Sequence, residues 1–502
     1  MAKKYFKQDR SPVSLATEIG AGGEGSILTI DGAPDYVAKI YHASPPPDKR
    51  DKILAMIQNP PKDPAIDGPF KFHSIVWPKD ALYSDRQCAT LAGFTMPMIQ
   101  KKGFKIIVSY ILPEKRFESF SGAFTWQHLM NTAVNLSSCV EAIHEKGHCV
   151  GDLNESNFMV APDTLLAVID CDSFQIRDPK TGRSWKCPVG KPDYSAPEIY
   201  NANFNNVDRT VHTDNFALAI MIFQLLMEGT HPYSAKGRLV EDAPAIGDKI
   251  VKGIFPYVAR RGIQPPVYAP PFNILDPDLQ QLFIRCFETG HRKPQDRPSA
   301  VQWKSALQSV LHDLKICPVN PNHYYGSHVN DCPWCERAAS LGVDSFQNTA
   351  GGQTALANVK AHGSTDENKK QYLLQLIQMA ICDGSITPDE EAFIIRQAKL
   401  LHISTSTVNK IMSEATRSAS TSSAAQTPQQ IVPVQSSHTQ ASSQARQHTH
   451  RSPVAVATTS VKTAQQSVGS AAYIIRRLAN RALLCIIFFV VPVVFILEKC
   501  SR

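Results

Sequence analysis

Short apolar runs broken by Gly and Pro fill residues 10 to 100, a pattern that predicts a strand-rich unit. Pro45-Pro46-Pro47 and Pro60-Pro61 bracket its one helical candidate, centred on Ile53-Leu54-Ala55-Met56-Ile57. From Phe124 onward the apolar period becomes helical, through Leu129, Ala133, Leu136, Val140 and Ile143. Further helices are expected over Phe216 to Leu226 and Ser299 to Leu314. The fold class is therefore α+β, with a strand-rich lobe leading into a mainly helical one.

Beyond that unit the pattern changes three times. Residues 338–366 are rich in Gly, Ala, Asn and Thr and read as a linker. Between Lys369 and Met412, Leu374, Ile377 and Ile381 mark one face, and Ile394, Ala398 and Leu401 a second, which predicts two packed amphipathic helices. Residues 415–470 are Ser, Thr, Gln and Ala with no acidic residue and few large apolar side chains, the composition of a disordered tether. Arg476, Arg477 and Arg481 then precede Ala482 to Leu497, sixteen residues without a charge. Sixteen is short against the roughly 20 of a full membrane span, but flanking Arg and Lys snorkel and bilayers thin. A single-pass C-terminal anchor in the cell inner membrane is expected, with the basic flank holding the preceding chain in the cytoplasm.

The length, 502 residues, suits about three domains, and 43% hydrophobic residues supply ample core. A net charge of +7 is mild for this length, so no nucleic-acid partner is expected. Twelve cysteines without a compact framework suit a reducing compartment. No apolar stretch near Met1 is long enough for a cleaved secretory signal.

Candidate chemistry concentrates at His148 to Asn157, where Asp152 is followed five residues later by Asn157. That spacing resembles the catalytic loop of protein kinases, which implies a carboxylate that accepts a hydroxyl proton and an amide that holds a magnesium ion against nucleotide phosphates. Upstream, Gly20, Gly22 and Gly25 lie between apolar runs, so backbone N–H groups can close on phosphates, with Ile27 just after them. Lys39, in Val37-Ala38-Lys39-Ile40, puts a cation on a strand that otherwise reads as buried, where phosphate or a carboxylate must meet it. Asp170 ends an apolar strand thirteen residues after Asn157 and is the second metal-ligand candidate. Phe94 to Met98 falls where two lobes would join, and the backbone around Met96 and Met98 is expected to meet an adenine. Glu198 in Ala196-Pro197-Glu198 is expected to pair with Arg297, and Asp214 opens the apolar helix. His144 and His148 flank the loop, but phosphoryl transfer needs positioning and charge rather than imidazole.

As an ordered set, these motifs resemble the eukaryotic-like serine/threonine protein kinases of bacteria, and among them the group linked to tellurite resistance and chemical stress. The resemblance covers about residues 10 to 337. It implies a two-lobed kinase fold over 10–314, ATP and Mg2+ as cofactors, Lys39 on the phosphates, Asp152 as catalytic base, and Asn157 with Asp170 as metal ligands. It implies a Glu198–Arg297 structural pair, protein hydroxyls as acceptors, and a phosphatase or other stress-system component as partner.

Several positions depart from that pattern. Val150-Gly151 replaces His-Arg before the base, so no arginine stands ready for a phosphorylated activation segment. Asn154 stands where such kinases carry a lysine near the transferred phosphate. Asp172 replaces the glycine after the metal-binding aspartate, and residues 48 to 60 offer no glutamate for Lys39, leaving Asp51 as the substitute. The alternative reading is a pseudokinase scaffold that binds nucleotide without transfer.

After the kinase-like region, Cys317, His323, His328, Cys332 and Cys335 give spacing for a closed, structural Cys3His zinc site over 315–337. His323 is the preferred fourth ligand and His328 the alternative. Residues 367–414 resemble the tellurite-resistance B-type domain, which implies divalent-ion binding by Asp383, Glu390 and Glu391. The competing reading there is a plain helix start, with Thr387 capping and Pro388 at the first position.

Overall fold

The structure is a computed structural model that describes residues 4–66, 72–99, 103–113, 115–116, 124–240, 242–243, 245–260, 262–266, 269–341, 344–346, 373, 377, 395, 398 and 403–413. The expected 338–366 linker is structured at its start, where residues 338–341 complete the Pro333–Leu341 helix and Asp344 and Phe346 are buried. Residues 342, 343 and 347–366 of that segment, the expected tether 415–470, Asp383, Glu390, Glu391 and the apolar segment 482–497 lie outside the described residues. Among the described residues, no helix is long and apolar enough to cross a membrane.

The first lobe is a closed barrel in the order β1-β2-β3-β4-β6-β5, built from β1 (Lys4–Phe6), β2 (Pro12–Ala21), β3 (Gly25–Ile30), β4 (Tyr36–Tyr41), β5 (Asp80–Tyr83) and β6 (Leu91–Pro97). Strand β4 runs antiparallel between β3 and β6, and both neighbours carry a glycine where it passes. A Cβ on Gly25 would lie 2.4 Å from the Ile40 carbonyl oxygen, and one on Gly93 would lie 1.9 Å from that of Lys39. The two bare positions let the ladder close around the strand that bears Lys39.

The Pro47–Gln58 helix starts on Pro47, whose missing N–H costs nothing at a helix start. It buries Lys52, Ile53 and Met56 on one face, and the Trp77 indole donates to the Met56 carbonyl at 2.8 Å. This helix spans more than the expected apolar run, because polar residues form its first turn.

The second lobe is organised by three capped helices. Thr125 and His128 form a reciprocal cap at the start of Trp126–Glu145, which buries Leu129, Ala133, Leu136, Val140 and Ile143. Thr210 caps Val211–Leu226, which is apolar on nearly every side and forms the centre of the lobe. Ser299 and Gln302 cap Ala300–His312, and Leu314 belongs to the next strand rather than to this helix. An aromatic cluster of Phe216, Phe223, Tyr233, Phe255, Phe283 and Phe287 packs around the central helix. A three-stranded sheet, β7 (Lys105–Ile106), β8 (Phe158–Val160) and β9 (Leu166–Val168), carries the loops that hold the candidate site.

A two-stranded ribbon, β12 (Leu314–Ile316) with β13 (Tyr324–Gly326), and the Pro333–Leu341 helix follow. Trp334 docks this segment against Trp126, ring centres 5.5 Å apart, and Arg337 pairs with Glu228 at 2.5 Å. A separate small cluster joins Leu373, Ile377, Ala398, Val408 and Met412. Of the expected faces, Ile377 and Ala398 are buried in this cluster, while Leu374, Ile381, Ile394 and Leu401 lie outside the described residues.

Candidate functional site

The site lies where the barrel meets the loops after the Trp126–Glu145 helix and after β9. Strand β2 shifts register near Gly20, and Gly22 closes the turn by donating to the Gly25 carbonyl at 2.8 Å. Gly22, Gly23 and Glu24 therefore form the connection, and no side chain stands within 4 Å of where a Cβ on Gly23 would lie. Ile27 follows on β3, paired with Lys39 across the ladder.

The Lys39 ammonium is buried and meets two carboxylates, Asp172 Oδ1 at 2.6 Å and Asp170 Oδ1 at 3.0 Å. Burial works against its charge, but Asp172 and Asp170 outweigh burial and raise its pKa above the ordinary lysine value. Asp172 also accepts from the Tyr41 hydroxyl at 3.0 Å and pairs with Lys49 at 3.1 Å. Burial disfavours its charge, yet Lys39 and Lys49 hold it well below the usual carboxylate range. Asp170 differs: its side chain is half exposed and its backbone is left-handed, φ 57°.

The catalytic-loop candidates close on one another. Asn157 donates its amide to the Asp152 carbonyl at 2.7 Å and to Asp152 Oδ2 at 3.3 Å, and Asn154 donates to Asp152 Oδ1 at 2.6 Å. Burial raises the Asp152 pKa above its ordinary value despite these donors and the nearby Lys191. The Ile169 N–H bonds the Asn157 carbonyl at 3.0 Å, tying this loop to the one bearing Asp170. With its amide nitrogen turned to Asp152, Asn157 keeps its oxygen, which meets the Ser156 hydroxyl at 3.5 Å, within reach of a cation. That oxygen and the Asp170 carboxylate are hard donors that fit Mg2+.

Below the loop, Glu198 accepts two parallel bonds from Arg297, each 2.7 Å, and the Arg297 side chain is fully buried. His144 bonds Asp214 at 2.9 Å, while His148 stacks on Trp77 and bonds the Asn59 carbonyl. Both histidines are thus structural.

One expectation needs correction. Asp51 is not the partner of Lys39, because it and Asp48 both engage Arg183, at 3.0 and 2.5 Å. Near Asn154, Lys191 reaches Glu155 Oε1 at 2.8 Å. In the segment expected to meet an adenine, the Met98 N–H donates to the Asp35 carbonyl at 2.9 Å and Met96 lies in the β4–β6 ladder opposite Val37.

A second constellation lies after the helical lobe. One donor atom each from Cys317, His323, Cys332 and Cys335 falls within 4.8 Å of the others. His323 Nδ1 faces the Cys335 and Cys332 sulfurs at 3.4 and 3.5 Å, while its Nε2 meets Asp344 at 2.9 Å. His328 instead bonds the Asn273 carbonyl at 3.0 Å, which takes it out of the set. Burial opposes ionisation of Cys317, but the N–H groups of Asn320 and Val319 prevail and lower its pKa.

The sequence pattern does not single out Lys49, Lys52, Arg209 or Asp344 as site residues. Lys52 was within reach, since it shares the helical face of Ile53 and Met56. Asp344 carried no spacing signal at all.

Residues 92–309 match the protein kinase domain family, and residues 335–413 match tellurite resistance protein TerB. "Protein kinase YegI" of Escherichia coli (strain K12) is 34% identical over 369 residues, covering 71% of this chain and 54% of that protein. Its counterpart in Escherichia coli O157:H7 is 35% identical over 328 residues, covering 64% and 48%. The chain thus spans about half the length of the curated relatives it matches. A solved structure, the ROP18 kinase domain in complex with AMP-PNP and sucrose, aligns at 15% identity with a TM-score of 0.41, over 62% of this chain and 83% of that one. That likeness is too distant to add to the assignment, which rests on the sequence matches and the site. The chain contains a bacterial protein kinase domain followed by a TerB domain.

Proposed function

We propose that the chain transfers the γ-phosphate of ATP to serine or threonine hydroxyls of proteins in a bacterial stress or signalling system. The observation that carries this reading is the meeting of Lys39 with Asp170 in one site whose other wall is Asp152 and Asn157. Asp152 would accept the proton of the attacking hydroxyl, its carboxylate aimed by Asn154 and Asn157. Asn157 and Asp170 would hold Mg2+, which supplies charge neutralisation on the phosphates. Lys39 would orient the phosphates from above, under the Gly22–Glu24 turn. Lys191, from the activation segment between Asp170 and Glu198, would bring the positive charge that Asn154 does not.

The cysteine and histidine set is read as a structural zinc site, because three thiolates and one imidazole are a tetrahedral soft-donor set with no position left open. The apolar segment 482–497 is read as an inner-membrane anchor that would keep the kinase near membrane substrates by raising effective concentration.

The test is incubation of the purified cytosolic part with labelled ATP and magnesium, followed by phosphoamino-acid analysis. Label on serine or threonine of the chain or an added protein is expected, and it should vanish in Asp152→Asn and Asp170→Asn. Asp152→Asn should keep nucleotide binding, whereas Asp170→Asn should weaken its magnesium-dependent part. Nucleotide binding without any transfer by the wild type would overturn the enzyme reading.

A further inference from the structure

Resting on the kinase reading, we propose that Asp172 is the positioning residue for the phosphate-binding Lys39, and that acid and base have exchanged places relative to the family pattern. The acid sits on the loop after the metal ligand, and the Pro47–Gln58 helix contributes a base, Lys49.

The two acids near Lys39 are not equivalent. Asp172 is 2% exposed and saturated, with Lys39 on Oδ1 and both Tyr41 and Lys49 on Oδ2. A carboxylate so buried is tolerated because three donors, two of them cationic, compensate it. Asp170 is half exposed and, among the described side chains, meets Lys39. Asp170 is therefore free to serve a cation, and Asp172 is not.

The helix confirms the exchange from its own side. Its buried face presents Lys52, Ile53 and Met56, and its two acids, Asp48 and Asp51, are held by Arg183. Lys49 lies between Asp172 and the turn that covers the phosphates, with Glu24 Oε2 at 3.4 Å. Lys52 is buried beside it, and burial followed by the Lys49 charge pushes its pKa down to about 8. The helix thus brings positive charge, not a carboxylate, to the lysine.

This arrangement has a functional consequence. When Asp170 turns to a metal and Lys39 to phosphate, a lone Asp172 would be left as an uncompensated buried charge. Lys49 and Tyr41 prevent that, so Asp172 keeps Lys39 in lateral register through the cycle.

The test is a charge transplant. Asp172→Gly alone should lower kcat/KM for ATP by about tenfold to a hundredfold, the scale of a lost charge-assisted hydrogen bond. Lys49→Glu in that background returns an acid to the helix and should recover most of the loss, whereas Lys49→Glu alone should impair the enzyme. A purely structural role would show no such rescue. Thermal unfolding of each variant excludes a folding failure, and Asp172→Asn serves if the glycine variant does not fold. Equilibrium binding of a fluorescent ATP analogue with Mg2+ is measured on the same series. If the wild type binds but does not transfer, the enzyme reading fails while the binding series still decides this one. A double variant no better than Asp172→Gly, or Asp172→Gly equal to wild type, overturns the proposal, as does a wild type that binds no nucleotide.

Discussion

Gly151 donates its backbone N–H to Asp214 Oδ1 at 2.9 Å, and the adjoining Val150 N–H bonds the other oxygen at 2.7 Å. The bond holds Gly151 at φ +74°, where a side chain would be strained. A Cβ there would also fall 2.6 Å from Cys187 Cβ and 3.2 Å from Arg209 Cγ. Arg209 crosses the space beside the catalytic loop and donates to the Val189 carbonyl at 2.9 Å, lying over the Phe204 ring. The activation segment is therefore anchored by a cation on its backbone.

This anchoring leads to the prediction that phosphorylation of the segment will not switch kinase activity on. Thr181 bonds Asp178, and Ser184 lies on a two-stranded hairpin, β10 (Ile176–Arg177) and β11 (Ser184–Trp185). Arg183 and the Trp185 indole fasten that hairpin to Asp48 and Asp51 without any phosphate. Replacing Thr181 and Ser184 together by alanine should leave initial rates within about twofold, roughly 0.4 kcal/mol of barrier. A hundredfold loss would show that a phosphorylated clamp exists after all.

Lys191→Met should lower kcat by about tenfold to a hundredfold with a smaller change in KM for ATP, because the charge is needed most as the phosphoryl group transfers. Lys191 is paired only with Glu155 among the ion pairs of the described residues, and its side chain is 40% exposed, so truncation should leave the fold intact. Steady-state kinetics check this. An unchanged kcat would mean that Arg209 or Lys49 carries the charge instead.

Acid should weaken the second lobe through His231. Burial, more than its other surroundings, lowers its pKa to about 4, and its ring donates to the Asp193 carbonyl while accepting from the Tyr233 N–H. A proton on the accepting nitrogen would break the second bond. Below the unfolded value near 6.5 the unfolded chain binds a proton that the folded chain refuses, so stability falls as pH drops toward 4. The full effect is on the order of 3 kcal/mol. Urea unfolding of wild type and His231→Asn between those pH values checks it; equal slopes would reject His231 as the cause.

How much of this was legible in the sequence depended on what carried each signal. The lobe order and the buried face of Trp126–Glu145 follow from periodicity, which is local in the chain, whereas the Glu198–Arg297 pair, 99 residues apart, was expected only because both of its motifs match the kinase pattern. The role of Asp172 was not legible in that way. It showed only as a missing glycine, because its partners Lys39 and Lys49 lie more than a hundred residues away. Asp51 failed for the opposite reason: sequence proximity to the right helix says nothing about which way a side chain faces, and it faces Arg183. Lys191 and Arg209 reach the catalytic loop only through the return path of the activation segment, which no spacing rule encodes.

The same distinction governs the zinc expectation. Spacing left His323 and His328 open, and the fold separates them by what each ring already does. His328 is held by the Asn273 carbonyl and Asp276, on the far side of Gly326, whereas His323 turns Nδ1 to two sulfurs and Nε2 to Asp344. A carboxylate on the distal nitrogen fixes the tautomer that leaves the other nitrogen free to ligate, the usual support for a zinc-bound imidazole. Purified protein should therefore contain about one zinc per chain. Cys332→Ser or Cys335→Ser should release it, Asp344→Ala should weaken it about tenfold to a hundredfold, and His328→Ala should leave it in place. Release should loosen the β12–β13 ribbon and the Trp334 contact with Trp126, shifting tryptophan fluorescence, while the barrel and the central helix stay folded. Metal analysis by mass spectrometry on protein prepared without chelator gives the direct answer. Finding no zinc, or losing it with His328→Ala and not with His323→Ala, would overturn this ligand set.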